Sequence, residues 1–224
     1  MALPANVSTT LLRNVPLFAG LDEAHLGVLA HMILRNRFAR GQTIISAGDT
    51  TDSLYIVISG RLKVLMRDEQ GREVILAILG SGEFFGEMGL LDDSPRSASV
   101  LTLEPCELLS ISKVDFKRCL AENSDLSLTV MRGLVRRLRE ADQKIGSLAL
   151  MDVYGRVARL LLQLAEDVNG EKVVVKKVSK QDIAKMIGAS REMVSRVMKD
   201  LELGGYIEVR GRSVVLRDNI LLAE

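Results

Sequence analysis

Apolar and polar positions follow three successive periods along the chain. Over residues 8–34 (STTLLRNVPLFAGLDEAHLGVLAHMIL) apolar residues recur at helical spacing, broken by Pro16 and Gly20. From about 36 to 118 the pattern becomes short alternating runs, such as Leu62, Val64 and Met66, punctuated by Gly41, Gly48, Gly60, Gly71, Gly80 and Gly82. Closely spaced strands with turn residues between them predict an all-β barrel or roll, with Gln70-Gly71 at a hairpin tip. The helical period then returns. Met131, Leu134, Leu138, Ala141, Ile145 and Leu148 recur at alternating spacings of three and four, between charged flanks that include Arg136, Arg137, Arg139 and Glu140. So narrow a stripe predicts a helix that pairs with a copy of itself; one long helix packed on its own barrel is the alternative.

A third zone starts after Met151. DVYGRVARLLLQLAEDVNG predicts an amphipathic helix stopped by Asn169-Gly170, VVVKKV a short strand, and Ser179 the start of another helix. In SKQDIAKMIGASREMVSRVMKDLE, Ser179 and Asp182 form an N-cap pair, Gly188 allows a tight connection, and Ser190 caps a second helix. Ile183, Ala184, Ile187, Val194 and Val197 fall where two steeply crossed helices bury their contact, which is helix-turn-helix spacing. The opposite face carries Arg191, Glu192, Ser195, Arg196 and Lys199. Arginine can donate two bonds to guanine and glutamate can accept from cytosine, so this face suits base reading as well as phosphate contact. GGYIEVRGRSVVL reads as a hairpin with Arg210 and Arg212 at a wing tip placed for phosphates. An αα-hairpin that binds no DNA is the competing interpretation. The expected organisation is α+β: a sensor β-roll with flanking helices over 1–123, a dimerisation helix over 124–151 and a winged helix-turn-helix over 152–224.

Composition narrows the picture. The net charge is +1, and residues from 152 onward hold 13 Lys/Arg against 11 Asp/Glu, so attraction to nucleic acid must come from a local patch. The two cysteines, Cys106 and Cys119, read as reduced and buried rather than as a disulfide framework. No apolar run reaches membrane-spanning length, and MALPANVSTTLLRN lacks the basic and apolar regions of a secretory signal, so a cytoplasmic protein with no membrane partner is expected. No Ser/His/Asp arrangement, Walker loop or clustered metal ligands argue for an enzyme.

One stretch carries separate chemistry. FGEMGLLDDSPRSASV (85–100) holds a glycine-flanked carboxylate, Glu87, and nine residues later the pair Arg96-Ser97. A catalytic loop, a surface turn closed by a Glu87–Arg96 ion pair with Asp92-Asp93-Ser94-Pro95 as its solvated surface, and a pocket for a phosphate and a sugar are the candidates. A cyclic nucleotide offers one anion and one hydroxyl donor; this stretch offers one cation and one acceptor. SAGDTTDSLYIVISGRLKV, GEMGLLDDSPRSASV, the seam helix and SREMVSRVMK, in that order over essentially the whole chain, resemble the CRP/FNR superfamily of bacterial transcription regulators, and most of all its cyclic AMP receptor branch.

The resemblance implies a cyclic-nucleotide-binding-type β-roll whose cassette runs through Gly86, Glu87, Met88, Arg96, Ser97 and Ala98. Arg96 would neutralise the cyclic phosphate, Ser97 and backbone N–H groups would bond its oxygens, Glu87 would accept from the ribose 2′-OH, and Gly86 would let the sugar approach. It implies a homodimer reading palindromic TGTGA-like double-stranded DNA through Arg191, Glu192 and Arg196, and contact with RNA polymerase. Where that branch presents a Thr-Ser pair to the adenine, this chain has Ala141 and Asp142. Alanine makes no hydrogen bond, whereas a carboxylate can accept from guanine N1–H and N2–H together, so cyclic GMP and cyclic di-GMP stand beside cyclic AMP, the first choice. Asp142 as a solvated flank of the seam is the alternative. Two cysteines cannot ligate an iron–sulfur cluster, and His25 and His31 lie outside the roll where a haem ligand is needed, so no haem, cluster or metal is expected. A nucleotide-binding module acting by protein contact, and a ligand-independent DNA binder with a vestigial pocket, remain the rival functions.

Overall fold

The computed structural model describes residues 7–50, 52–175, 178–211 and 213–217. The chain divides into two compact units, Met1–Arg137 and Leu138–Glu224, so the division passes within one long helix.

The first unit begins with α1 (Thr9–Arg13), a 3-10 turn at Pro16–Phe18 and α2 (Glu23–Met32). Then come β1 (Leu34–Phe38), β2 (Thr43–Ile45), β3 (Ser53–Ser59), β4 (Leu62–Arg67), β5 (Glu73–Leu79), β6 (Phe84–Phe85), α3 (Met88–Leu91), β7 (Ser99–Thr102), β8 (Cys106–Ser112), α4 (Lys113–Glu122) and the start of α5 (Ser124–Leu150). The strands form two antiparallel four-stranded sheets in the orders β1-β8-β3-β6 and β2-β7-β4-β5. The predicted roll is therefore present, and Gly71 lies in the β4–β5 turn, where Asp68 Oδ1 accepts from the Gln70 and Arg72 amides.

Strand alternation explains why the first sheet is buried on both faces. Leu54 and Ile56 of β3, Phe84 of β6, and Leu109 and Ile111 of β8 pack against Phe18, Leu26, Phe116 and Leu126 of the helices. Their alternates Val57, Phe85, Cys106 and Leu108 fill the space facing Ile45, Leu62, Leu79 and Val100. Cys106 is thus a buried small hydrophobe whose thiol donates to backbone carbonyls, and both cysteines are free.

One polar cross-strand device lies on the outside of the roll. Glu107 on β8 accepts from Arg35 Nε (2.7 Å) and Nη2 (2.8 Å) and from Arg37 Nε (3.0 Å), both on β1. These bonds pull its carboxyl down from 4.5 to about 2. A folded pKa below the unfolded one stabilises above the unfolded value, and the gain disappears as pH falls from about 4.5 to about 2. The thermal midpoint of Glu107→Gln should lie below wild type at pH 7, and the gap should close over that window. A gap that stays constant down to pH 2.5 would show that ionised Glu107 contributes nothing.

The second unit holds the rest of α5, then α6 (Val153–Leu164), β9 (Glu166–Val168), β10 (Glu171–Val174), α7 (Lys180–Ile187), α8 (Arg191–Leu203), β11 (Ile207–Arg210) and β12 (Ser213–Leu216). Its sheet has the order β11-β12-β10-β9. The predicted helix from Asp152 to Gly170 ends early, at Leu164, and the residues after it form β9. Asn169 and Gly170 both have positive φ (55° and 82°) and turn the β9–β10 hairpin; they do not stop a helix. The wing hairpin β11–β12 is as expected, whereas Arg212 at its tip lies outside the described residues.

Candidate functional site

Arg96 and Glu87 are the two buried charged side chains of the cassette, at 7% and 1% exposure. They are not each other's hydrogen-bond partners, so the turn-closing ion pair gives way to two separate networks. Arg96 Nη1 donates to Gly86 O (2.8 Å) and Nη2 to Ser53 O (2.7 Å), with Asp52 Oδ1 3.5 Å away. Its backbone is held too, N–H to Asp49 O (2.9 Å) and C=O from Gly48 N–H (2.8 Å). Burial pushes its pKa down, while Asp52, Tyr55, Glu87 and Asp49 act in the other direction. A buried guanidinium whose hydrogen bonds go to neutral carbonyls, with Asp52 as a longer-range counter-charge, keeps capacity for an anion.

Glu87 caps α3, and its backbone C=O accepts from the Leu90 and Leu91 amides (both 3.0 Å). Its side chain accepts from Arg137 Nη1 (2.6 Å), and Arg137 Nη2 donates to Phe84 O. The Arg137 guanidinium also lies 5.0 Å above the Phe84 ring. Sequence reasoning placed Arg137 only among the charged flanks. It continues the inward row Leu126, Val130 and Leu134 at helical spacing, and a cation on an apolar row was the available signal. Gly133, one turn earlier, lets α5 lie against Phe84: a Cβ there would come within 2.9 Å of the ring.

Gly86 has φ +86°, and a Cβ on it would collide with the Arg96 guanidinium and come within 3.1 Å of Ser53 O. Gly86→Ala should therefore lower the stability of the chain by about 1–3 kcal/mol, read as an earlier urea midpoint. An unchanged midpoint would mean the cassette has slack. Ser97 is exposed, its hydroxyl donating to Met88 Sδ (3.8 Å); Met88 is exposed and Ala98 half-buried.

Along α5, Leu134 of the predicted seam is half-buried and packs on the core of the first unit, because it shares the inward row with Leu126 and Val130. Leu128, Met131 and Val135 are exposed in the first unit, and Leu138, Ile145 and Leu148 in the second. Ala141 and Asp142 are exposed on the part of α5 that belongs to the second unit.

In the second unit Ser179 Oγ accepts from Asp182 N–H (3.0 Å) and donates to Asp182 Oδ2 (2.6 Å), and Ser190 Oγ accepts from Met193 N–H (3.1 Å). Gly188 is left-handed (φ 64°, ψ 47°). Ile183, Ala184, Ile187, Val194 and Val197 are buried in one cluster, as their spacing predicted. Arg191, Glu192, Arg196 and Lys199 are exposed and Ser195 half-buried. Among the described residues, none of Arg191, Arg196 and Lys199 is paired with a carboxylate. Arg210 differs: Nε donates to Glu208 (2.7 Å) and Nη1 to Glu171 (2.8 Å), which raises its pKa, and Arg217 joins the same two carboxylates.

Among the described residues, no helix is long and apolar enough to cross a membrane, and no group of three or more His, Cys, Asp or Glu is placed to hold a metal ion.

Comparison with known proteins matches residues 35–123 to the cyclic nucleotide-binding domain and residues 155–224 to the Crp-like helix-turn-helix domain. A Pseudomonas aeruginosa protein named as the cAMP-activated global transcriptional regulator Vfr is 38% identical over 202 residues, covering 86% of this chain and 93% of its own length. A CRP-like cAMP-activated global transcriptional regulator of Mycobacterium tuberculosis is 33% identical over 217 residues, covering 95% and 97%. Among solved structures, the c-di-GMP responsive global regulator CLP of Xanthomonas campestris is 31% identical with a TM-score of 0.75, covering 87% of this chain and 99% of that one.

Proposed function

The chain belongs to the CRP/FNR family of transcription regulators, and from that premise we propose that it is a homodimeric, cytoplasmic, sequence-specific DNA-binding regulator gated by a cyclic nucleotide. The observation that carries this reading is the second helix of the helix-turn-helix. α8 starts at a capping Ser190 and presents Arg191, Glu192 and Arg196 outward, with no carboxylate among the described residues competing for the arginines. Such a helix start fits a major groove, and two of them in a dimer fit a palindrome of TGTGA-like half-sites. The exposed apolar residues Leu128, Met131, Val135 and Leu138 of α5 supply the seam between protomers. RNA polymerase is the further partner in this reading.

In the sensor unit, Arg96 takes the cyclic phosphate with Ser97, and Glu87 accepts from the ribose 2′-OH while Arg137 holds it in place. Binding shifts the population toward the conformer whose reading helices match successive grooves. Cyclic AMP is the first candidate, since the relatives are named as cAMP-activated. Asp142, a pure acceptor, favours weighing a guanine base, and the Xanthomonas relative is named as c-di-GMP responsive. Calorimetric titration with cyclic AMP, cyclic GMP and cyclic di-GMP, beside a gel shift on a TGTGA-type palindrome at fixed salt, tests the whole reading. Saturable binding of one nucleotide that raises DNA affinity supports it. Tight DNA binding unaffected by any of the three leaves the vestigial-pocket reading.

The wing supplies a separate prediction. Glu171 and Glu208 hold Arg210 and Arg217 away from phosphate oxygens. Glu171→Gln combined with Glu208→Gln should strengthen binding to all DNA sequences alike and steepen the log–log salt dependence by about one unit or more. Binding curves over a salt series measure this; an unchanged slope would mean the wing arginines do not reach the backbone.

A further inference from the structure

The turn Asp92-Asp93-Ser94-Pro95 reads in the sequence as the solvated edge of the cassette, yet Asp93 is tied down. Its φ is +61°, a left-handed conformation that aspartate tolerates better than most non-glycine residues. The Asp93 carboxylate lies 2.6 Å from Lys113 Nζ and 2.9 Å from Lys117 Nζ, both on α4, and the two ammonium groups pull its carboxyl down from 3.8 to about 2. The Lys113 amide in turn donates to Asp52 O (2.7 Å), and the Asp52 carboxylate stands beside Arg96. The chain between Asp93 and Arg96 is thus pinned at both ends, by α4 on one side and by Gly48, Asp49 and Ser53 on the other.

We propose that Asp93, gripped by Lys113 and Lys117, is a positioning residue for the phosphate subsite, fixing the turn so that the Arg96 guanidinium and the Ser97 hydroxyl converge on one anion. The proposal rests on reading the cassette as a nucleotide pocket. Ser97 is exposed and held only by a weak bond to Met88 Sδ, so its hydroxyl is available to an oxyanion provided its backbone is already placed. Pre-ordering that turn removes part of the entropy that ligand binding would otherwise cost.

The sign of one substitution separates positioning from simple charge. Removing a carboxylate near an anion site strengthens binding if only Coulomb attraction matters. Asp93→Asn keeps the shape and the tolerance for positive φ, and positioning predicts that it weakens nucleotide binding about 3- to 10-fold. Lys113→Met with Lys117→Met should do the same, the combined variant should lose no more, and Glu23→Gln, removing a carboxylate on α2 that pairs with Arg13, should lose nothing. Asp93→Gly, which relieves the backbone but removes the grip, should also weaken binding. Amide exchange over residues 94–98, measured without nucleotide, should accelerate in every clamp variant. Equal or tighter binding by Asp93→Asn overturns the proposal. If the wild-type protein binds none of the three nucleotides, the pocket reading has failed, and unchanged exchange over 94–98 then overturns the clamp as well.

Discussion

Glu87→Ala is expected to weaken nucleotide binding at least about 100-fold and to destabilise the sensor unit by about 3 kcal/mol, because it breaks a buried charge pair and removes the proposed acceptor for the sugar together. Glu87 is 1% exposed, and its carboxylate is the partner of Arg137 at 2.6 Å. With alanine in place, Arg137 keeps its bond to Phe84 O and its position over the ring but loses its counter-charge within a largely buried setting. Glu87→Gln should fall between: the amide oxygen still accepts from a hydroxyl, but the neutral group no longer balances Arg137. Calorimetry reads the first effect and urea denaturation the second. A Glu87→Ala protein that is less stable yet binds nucleotide like wild type would make the pair purely structural. In that event the sugar acceptor must be sought elsewhere.

Periodicity carried much of the fold because burial enforces it. The alternation in β3 and β8 is real, both faces being buried against different clusters, and the helix-turn-helix was legible because caps, turn and contact residues all agreed. The readings that failed are those in which one residue type serves two structures. Asn169-Gly170 ends a helix or turns a hairpin with the same backbone preference, and only the pairing of β9 with β10 decides. Leu134 fits a seam by spacing, and its packing on the roll shows only once Leu126 and Val130 are seen to point there. Tertiary charge pairing was less legible still. Glu87 lies nine residues from Arg96 and fifty from Arg137, and it bonds to the distant one. Asp93 is exposed as the sequence suggests, but nothing local announces its pairing with Lys113 and Lys117.

Charge pairing also explains how a chain of net charge +1 could present a DNA-reading surface. The wing arginines are neutralised by Glu171 and Glu208, whereas Arg191, Arg196 and Lys199 on α8 have no carboxylate partner among the described residues. Arg191, Arg196 and Lys199 are thus left available on the exposed face of one helix, where bases can be read.

Arg191→Ala should accordingly weaken binding to a TGTGA-type palindrome by about 1–3 kcal/mol per half-site, and so by roughly 30-fold or more for the dimer, with far less effect on scrambled DNA. Arg191→Lys should not restore discrimination, since an ammonium cannot make the paired bonds of a guanidinium to guanine O6 and N7. Lys199→Ala should instead weaken all sequences alike and lower the salt slope, the signature of a phosphate contact. The fold should not suffer. The Arg191 side chain is exposed, makes no hydrogen bond among the described residues, and occupies the first turn of α8, where a positive charge is unfavourable next to the helix dipole. Anisotropy titrations on specific and scrambled duplexes at the same salt make the measurement, with a thermal melt as the folding control. Equal losses on both duplexes would reassign Arg191 to the backbone. No loss on either would move base reading away from α8 and favour a module that acts through protein contact.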